Sequence, residues 1–266
     1  AEHIELMGDK VQARKTMGEA GMPIVPGVTE PVPTAQEAAR LAEKIGYPVA
    51  VKAAAGGGGR GMRIARSPVE IEEAFTGAQG EGARFFGDAT CYLERFLENP
   101  RHIEFQILAD RHGNVVHLGE RDCSIQRRNQ KLIEESPAPT LAADVRAGLL
   151  AKVTAAVASI GYENAGTIEC LAVGDEVFFL EMNTRIQVEH CVTEMVTGID
   201  IVAEQIRIAA GREIGFRQQD ISFRGHAIEC RINAESAAKG FLPAPGQISD
   251  YKEPAGPGVR VDSAAE

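Results

Sequence analysis

Five polar side chains take every second place in the run Glu181-Met182-Asn183-Thr184-Arg185-Ile186-Gln187-Val188-Glu189: Glu181, Asn183, Arg185, Gln187 and Glu189. In extended backbone successive side chains face opposite ways, so the alternation predicts one strip carrying all of them. Just ahead lies Val177-Phe178-Phe179-Leu180, the pattern of a buried strand end. An unpaired carboxylate at the mouth of such an element would cost several kcal/mol, so a cation or metal is expected beside Glu181. Acid, amide, guanidinium, amide and acid in one row suit a metal ion together with an anion.

A second acid, Glu169, sits in the apolar stretch Thr167-Ile168-Glu169-Cys170-Leu171, and a hairpin around Gly174-Asp175 would bring it near Glu181. With the Asn183 amide these make an all-oxygen set, which suits Mg²⁺ or Mn²⁺ rather than zinc. Edge-strand acids facing water would show the same residues. The run Gly56-Gly57-Gly58-Gly59 lets backbone amides close over phosphate oxygens without Cβ interference. No Gly-Lys-Ser/Thr follows and no helix opens there, so neither a Walker loop nor a dinucleotide fingerprint fits. Strand–loop–strand is the layout of a flap over ATP, with Lys52 reaching the phosphates; a plain hairpin tip has the same layout. Arg121-Asp122-Cys123-Ser124-Ile125-Gln126-Arg127-Arg128-Asn129-Gln130-Lys131 concentrates donors, although alone it reads as a solvated basic loop. His102, after Pro100-Arg101, is a better ligand candidate than His190.

These groups need elements to hold them. Thr34 with Glu37 predicts a helix over 35–45, stopped by Gly46 and Pro48. Strands follow over 49–54 and 62–65, then a helix opened by Ser67, Pro68 and Glu70 with proline at its first position, then a strand over 92–97. Beyond Pro100 the spacing predicts a hairpin of 103–109 with 115–119, a helix over 142–160, and a hairpin of 166–173 with 176–181. A helix capped by Asp200 and closed by Gly211 comes next, then a strand over 225–233. Helices laid on a mostly antiparallel sheet define an α+β class.

The 266 residues suffice for one large domain or two unequal ones, and 44% hydrophobic with 25% charged residues is an ordinary globular balance. A formal charge of −10 argues against general nucleic-acid binding. No apolar run approaches the roughly 20 residues of a membrane span, and the start is unlike a signal peptide. The scattered Cys91, Cys123, Cys170, Cys191 and Cys230, without Cys-x-x-Cys, suit a reducing cytoplasm and are expected to be core residues.

Taken in order, Met7-Gly8-Asp9-Lys10, the glycine run, Tyr92–Glu104, Arg121–Lys131, Glu181–Thr193 and Gly225–Glu235 resemble the biotin carboxylase family. That family includes the biotin-carboxylating parts of acetyl-CoA, propionyl-CoA and pyruvate carboxylases. The resemblance implies an ATP-grasp fold, a small mobile lid on a larger, mostly antiparallel body, truncated at both ends. Residues 1–21 would connect, 22–96 form the lid, and 97–266 form the body and the start of the C-terminal domain. It implies ATP and two Mg²⁺ or Mn²⁺ ions as cofactors and biotin as a carried substrate. Its partners would be a biotin carboxyl carrier protein or domain, a carboxyltransferase and, at full length, a second copy, with no nucleic acid or membrane.

By the same resemblance Lys10 and Lys52 bind ATP phosphates and Gly58 and Gly59 cover them. Glu94, Arg95 and Leu97 meet the adenine, with His102 at the ribose, Leu171 beneath the ring, and Gln126 and Asn129 near the nucleotide. Glu169, Glu181 and Asn183 hold the metals. Lys131, Arg185, Gln187 and the Val188 backbone grip bicarbonate, Glu189 is its base, and Arg231 faces the biotin ureido oxygen. Bicarbonate would become carboxyphosphate by attack on the γ-phosphate. Ala55, Arg95, Asn129 and Cys191 stand where members often carry glycine, lysine, histidine and proline; no catalytic group is lost. A carbamoyl-phosphate-synthetase-like reaction and a non-catalytic ATP-binding fragment are the alternatives.

Overall fold

Two helices start where a short polar side chain caps them. Thr34 Oγ1 accepts the Glu37 amide at 3.2 Å and opens the helix Ala35–Ile45, which Gly46 closes at φ 91°. Asp200 does the same for Ile201–Ala209, accepting the Ala203 amide at 2.7 Å. The helix expected from Pro68 begins later, at Ile71. Ser67 Oγ donates to Glu70 at 2.8 Å, and the Glu70 carboxylate also takes the Arg66 amide, so 66–70 close on themselves as a turn.

The computed structural model describes residues 2–8, 10–28, 30–54 and 61–264, apart from the side chains of residues 2, 10 and 11. Its elements run α1 (Glu2–Gly8), α2 (Lys10–Glu19), α3 (Ala35–Ile45), β1 (Val49–Ala53), β2 (Met62–Ala65), α4 (Ile71–Phe86) and β3 (Cys91–Arg95). Then come β4 (Arg101–Ala109), β5 (Val115–Arg127), β6 (Gln130–Ser136), α5 (Ala143–Ser159), β7 (Asn164–Val173) and β8 (Glu176–Asn183). α6 (His190–Thr197), α7 (Ile201–Ala209) and β9 (Ala227–Cys230) complete the first of two compact units, Ala1–Cys230. The second, Arg231–Glu266, holds the short pair β10 (Glu235–Ser236) and β11 (Leu242–Pro243). The expected α+β class holds, with every strand pair antiparallel. Among the described residues no helix is long and apolar enough to cross a membrane.

The smaller sheet, ordered β2-β1-β3, puts Val49, Val51, Cys91 and Leu93 against Ala38, Ala42, Ala74, Phe75 and Ala78 of its two helices. Strand parity leaves Lys52 and Glu94 on the opposite face. Gly27 bridges to Glu94, and a Cβ there would sit 2.6 Å from the Leu93 carbonyl, so only glycine allows the approach.

The larger sheet is ordered β8-β7-β4-β5-β6-β9. Within β4, Ile103, Phe105 and Ile107 pack with Leu149, Val153 and Val157 of α5, with Ile168 and Cys170 of β7, and with Phe179 of β8. The alternate residues His102, Glu104 and Gln106 take the other face, ending at Leu108 beneath Ile201 and Ile208 of α7. One face is therefore an apolar core, while half of the other is buried yet polar. β5 is far longer than the expected 115–119: its polar residues stay in the sheet because they find partners on both faces, Arg121 with Glu104 on one and Glu120 with Arg146 and Asp122 with Arg101 on the other.

The β4–β5 turn hangs on Asp110, 3% exposed, which takes the amides of His112 at 2.9 Å, Asn114 at 3.0 Å and Ile214 at 2.8 Å. Burial opposes its charge, and the Asn114 side chain and these amides outweigh that, holding the carboxyl below the usual range. Its contribution is complete above about pH 4, the ordinary aspartate range, and is lost as pH falls through the lower folded value. Asp110→Asn is expected to lower the unfolding free energy by about 1–3 kcal/mol in urea titrations near neutral pH, with a smaller difference in acid.

Candidate functional site

Register places Arg121 of β5, Glu104 of β4, Glu169 of β7 and Glu181 of β8 side by side across four adjacent strands. Three neighbouring acids repel one another, so the row stands only with cations built into it. Arg121 contacts Glu104 Oε2 through Nη2 at 3.1 Å. Lys131 Nζ reaches in from β6 to Glu104, to Glu169 Oε1 at 3.0 Å and to Glu189 Oε1 at 2.6 Å. His102 Nε2 lies 2.9 Å from Glu169 and 3.2 Å from Glu104. Burial would push Glu104 and Glu169 upward, but the hydrogen bond from His102 and the charges around them hold each at about 2. The same carboxylates overcome the burial of His102 and raise it to about 9, and they raise Lys131 too.

The expected single strip over 181–189 is not what forms. Extended backbone ends at Asn183, and 184–189 loop into α6. Gln187 and Glu189 nevertheless turn inward, 5% and 2% exposed, because the amide is held between Arg121 and Glu169 and the acid by Lys131. Arg185 and Val188 are exposed; Arg185 Nη1 donates to the Ile186 carbonyl at 3.1 Å. Glu169 Oε1 also accepts the Asn183 amide at 2.8 Å. Glu169 and Glu181, as register partners, carry oxygen donors of the kind a hard divalent cation takes, whereas Asn183, two residues on, turns its side-chain N–H to Glu169.

The residues assigned to a nucleotide fall into two groups. On the small sheet's open face Glu94 takes Arg14 Nη1 at 2.5 Å and pairs with Lys52; burial works against its charge, yet those cations hold its carboxyl low. Arg95 reaches Glu176 at 3.2 Å. Leu97 packs with Val25 and Phe178, and Leu171 lies against the same small apolar cluster. On the large sheet Gln126 Nε2 donates to the Cys123 carbonyl at 2.8 Å and lies 3.2 Å from His102 Nδ1. Asn129, exposed at φ 65°, makes the β5–β6 turn with Arg128. The Lys10 side chain, Gly58 and Gly59 lie outside the described residues, and Arg231 opens the second unit.

Sequence reasoning gave no role to Glu104, Gln106, Arg121, Thr167, Thr193 or Arg14. The signal was there in His102-x-Glu104-x-Gln106, polar at every second place of an otherwise apolar strand, as in the 181–189 run. Cys91, Cys123 and Cys170 are buried as expected, whereas Cys191 is half-buried and Cys230 exposed.

A carboxylate row, an inward loop and a separate small sheet carrying a lysine are the parts expected of an ATP-grasp core, and comparison with known proteins supports that fold. The family described as carbamoyl-phosphate synthase L chain, ATP binding domain, matches residues 9–216, and the biotin carboxylase C-terminal domain matches 229–266. Biotin carboxylase of Nostoc sp. is 59% identical over 263 residues, covering 98% of this chain and 59% of that protein. A biotin carboxylase–β,γ-ATP complex from Campylobacter jejuni superimposes with TM-score 0.86 at 51% identity, covering 96% of this chain and 57% of that one. The biotin carboxylase domain of Hydrogenobacter thermophilus 2-oxoglutarate carboxylase, solved with MgADP, ADP and bicarbonate, gives 0.85 at 52% identity, 96% and 56%. The chain belongs to the carbamoyl-phosphate synthase L chain ATP-binding-domain family, and the relatives it resembles here are biotin carboxylases. It spans a little over half the length of these relatives.

Proposed function

We propose that this chain is the core of an ATP-dependent biotin carboxylase, which activates bicarbonate as carboxyphosphate and carboxylates biotin on a carrier. One observation carries the reading: Lys131 draws together Glu189, Glu169 and Glu104 beneath the inward Gln187–Glu189 loop, so a base and a cation share one buried spot. Glu189 takes the bicarbonate proton, and Lys131 steadies the anion that results. Gln187 and the Val188 backbone orient it, and Arg185 swings over it from its exposed place. Lys52 and the glycine run, with Gly58 and Gly59, close on the ATP phosphates together with Lys10. Leu97 and Leu171 supply the apolar bed for adenine beside Glu94 and Arg95, while His102, Gln126 and Asn129 lie toward the ribose side. Glu169, Glu181 and Asn183 would hold two Mg²⁺ or Mn²⁺ ions, whose chemistry is to neutralise charge on the phosphates. Arg231 faces the biotin ureido oxygen. Residues 22–96 act as the lid, keeping water from the intermediate.

The relatives' names support a biotin carrier and a carboxyltransferase as partners, and a second copy at full length is part of the same proposal. Five free cysteines suit a cytoplasmic setting. The match over 229–266 to a biotin carboxylase C-terminal domain favours biotin over ammonia as the acceptor. The test is ATP cleavage by the chain with Mg²⁺: it should require bicarbonate and rise with free biotin. Stimulation by ammonia instead would overturn the choice of acceptor, and nucleotide binding without turnover would mark a non-catalytic fragment.

A further inference from the structure

Arg121 is the largest fully buried side chain among the described residues, at 0% exposed, and every guanidinium nitrogen is engaged. Nε and Nη2 donate to Glu104 at 3.3 and 3.1 Å. Nη1 donates to Gln106 Oε1 at 2.7 Å and Thr193 Oγ1 at 3.0 Å. Nη2 also reaches Thr167 Oγ1 at 3.3 Å and Gln187 Oε1 at 3.0 Å. One planar group thus ties β4, β7, α6 and the 184–189 loop together. A buried ion pair is weak support for stability in itself, because desolvation consumes most of its attraction. What the arrangement does fix is an orientation.

Guanidinium only donates and carboxylate only accepts, so Gln187, caught between Arg121 and Glu169, has a single amide orientation. Its Oε1 must face Arg121, and its Nε2 must face Glu169, 2.7 Å away. One N–H of that amide is spent on Glu169; the other meets no protein acceptor among the described residues. A buried donor left over beside Glu189 is what an oxyanion needs.

We propose that Arg121 is a positioning residue: it locks the Gln187 amide so that one N–H is presented to the bicarbonate beside Glu189. This rests on the bicarbonate reading above. Arg121 touches neither substrate and acts through Gln187.

Kinetics of the full chain with Mg²⁺-ATP, bicarbonate and free biotin test it. Arg121→Lys keeps a charge for Glu104 but cannot span the other four partners. It is expected to raise the KM for bicarbonate about tenfold while the KM for ATP moves less than about twofold. Gln187→Ala should do likewise, and the double variant should be no worse than the poorer single one. Independent contributions would instead multiply to about a hundredfold. Should Arg121→Lys fail to fold, Thr193→Val removes one anchor of the guanidinium and should raise the bicarbonate KM about two- to fivefold. A parallel rise in both KM values, or multiplicative effects, overturns the proposal. If the wild-type chain cleaves no ATP with bicarbonate, the reaction assignment fails instead. The Gln187 side-chain amide resonances then decide on Arg121: in Arg121→Lys or Thr193→Val they collapse toward free-glutamine shifts if the guanidinium holds the amide, and stay put if it does not.

Discussion

Glu189→Gln is expected to cut bicarbonate-dependent ATP cleavage by about a hundredfold to ten-thousandfold, the usual worth of a positioned general base. Nucleotide affinity should stay within about twofold, since Lys52 and the Leu97–Leu171 cluster lie on other elements. The amide keeps the shape of the acid and can still accept from Lys131 Nζ, which retains Glu169 and Glu104. The loss would therefore be chemical rather than a collapse of the loop. Single-turnover ATP cleavage together with equilibrium nucleotide binding separates the two. Turnover within a few-fold of wild type would remove Glu189 from the role of base; loss of nucleotide binding in step with turnover would point to a wider disturbance.

Local rules carried far along this chain. The Thr34 and Asp200 caps, the Asp110–Asn114 turn and the hairpin pairing Glu169 with Glu181 follow from side-chain chemistry within a few residues, and they stand in the fold. The inward loop was harder. Alternation alone puts Arg185 with Gln187 and Glu189, but strand geometry ends at Asn183, and burial afterwards follows partners contributed by β5 and β6. A long-range contact decided there, and no window of neighbouring residues contains it. The same holds for Arg121, which looks like part of a basic loop until the β4–β5 register sets it opposite Glu104. The donor-rich run from Arg121 to Lys131 is split by its own strand: Arg121 and Lys131 reach into the row while Arg128 and Asn129 turn at the surface.

That row makes Glu104 the least replaceable carboxylate for folding. It meets Arg121, Lys131 and His102 at once, and no part of it reaches solvent. Glu104→Leu would leave a buried guanidinium facing apolar carbon, and breaking one partner of such a pair costs about 3–5 kcal/mol. Lys131 would keep Glu169 and Glu189, so the damage should fall mainly on Arg121. Two outcomes follow for urea unfolding. The single variant should lose that amount at neutral pH, and Glu104→Leu with Arg121→Leu should recover at least half, because it removes the orphaned charge. The pH dependence has a fixed sign. With Glu104 at about 2 when folded and near 4.5 otherwise, its contribution is whole above about pH 4.5 and disappears as pH falls through about 2. The difference between wild type and Glu104→Leu should shrink over that window. A difference that stays constant into acid would mean the carboxylate's charge is not what holds Arg121 in place.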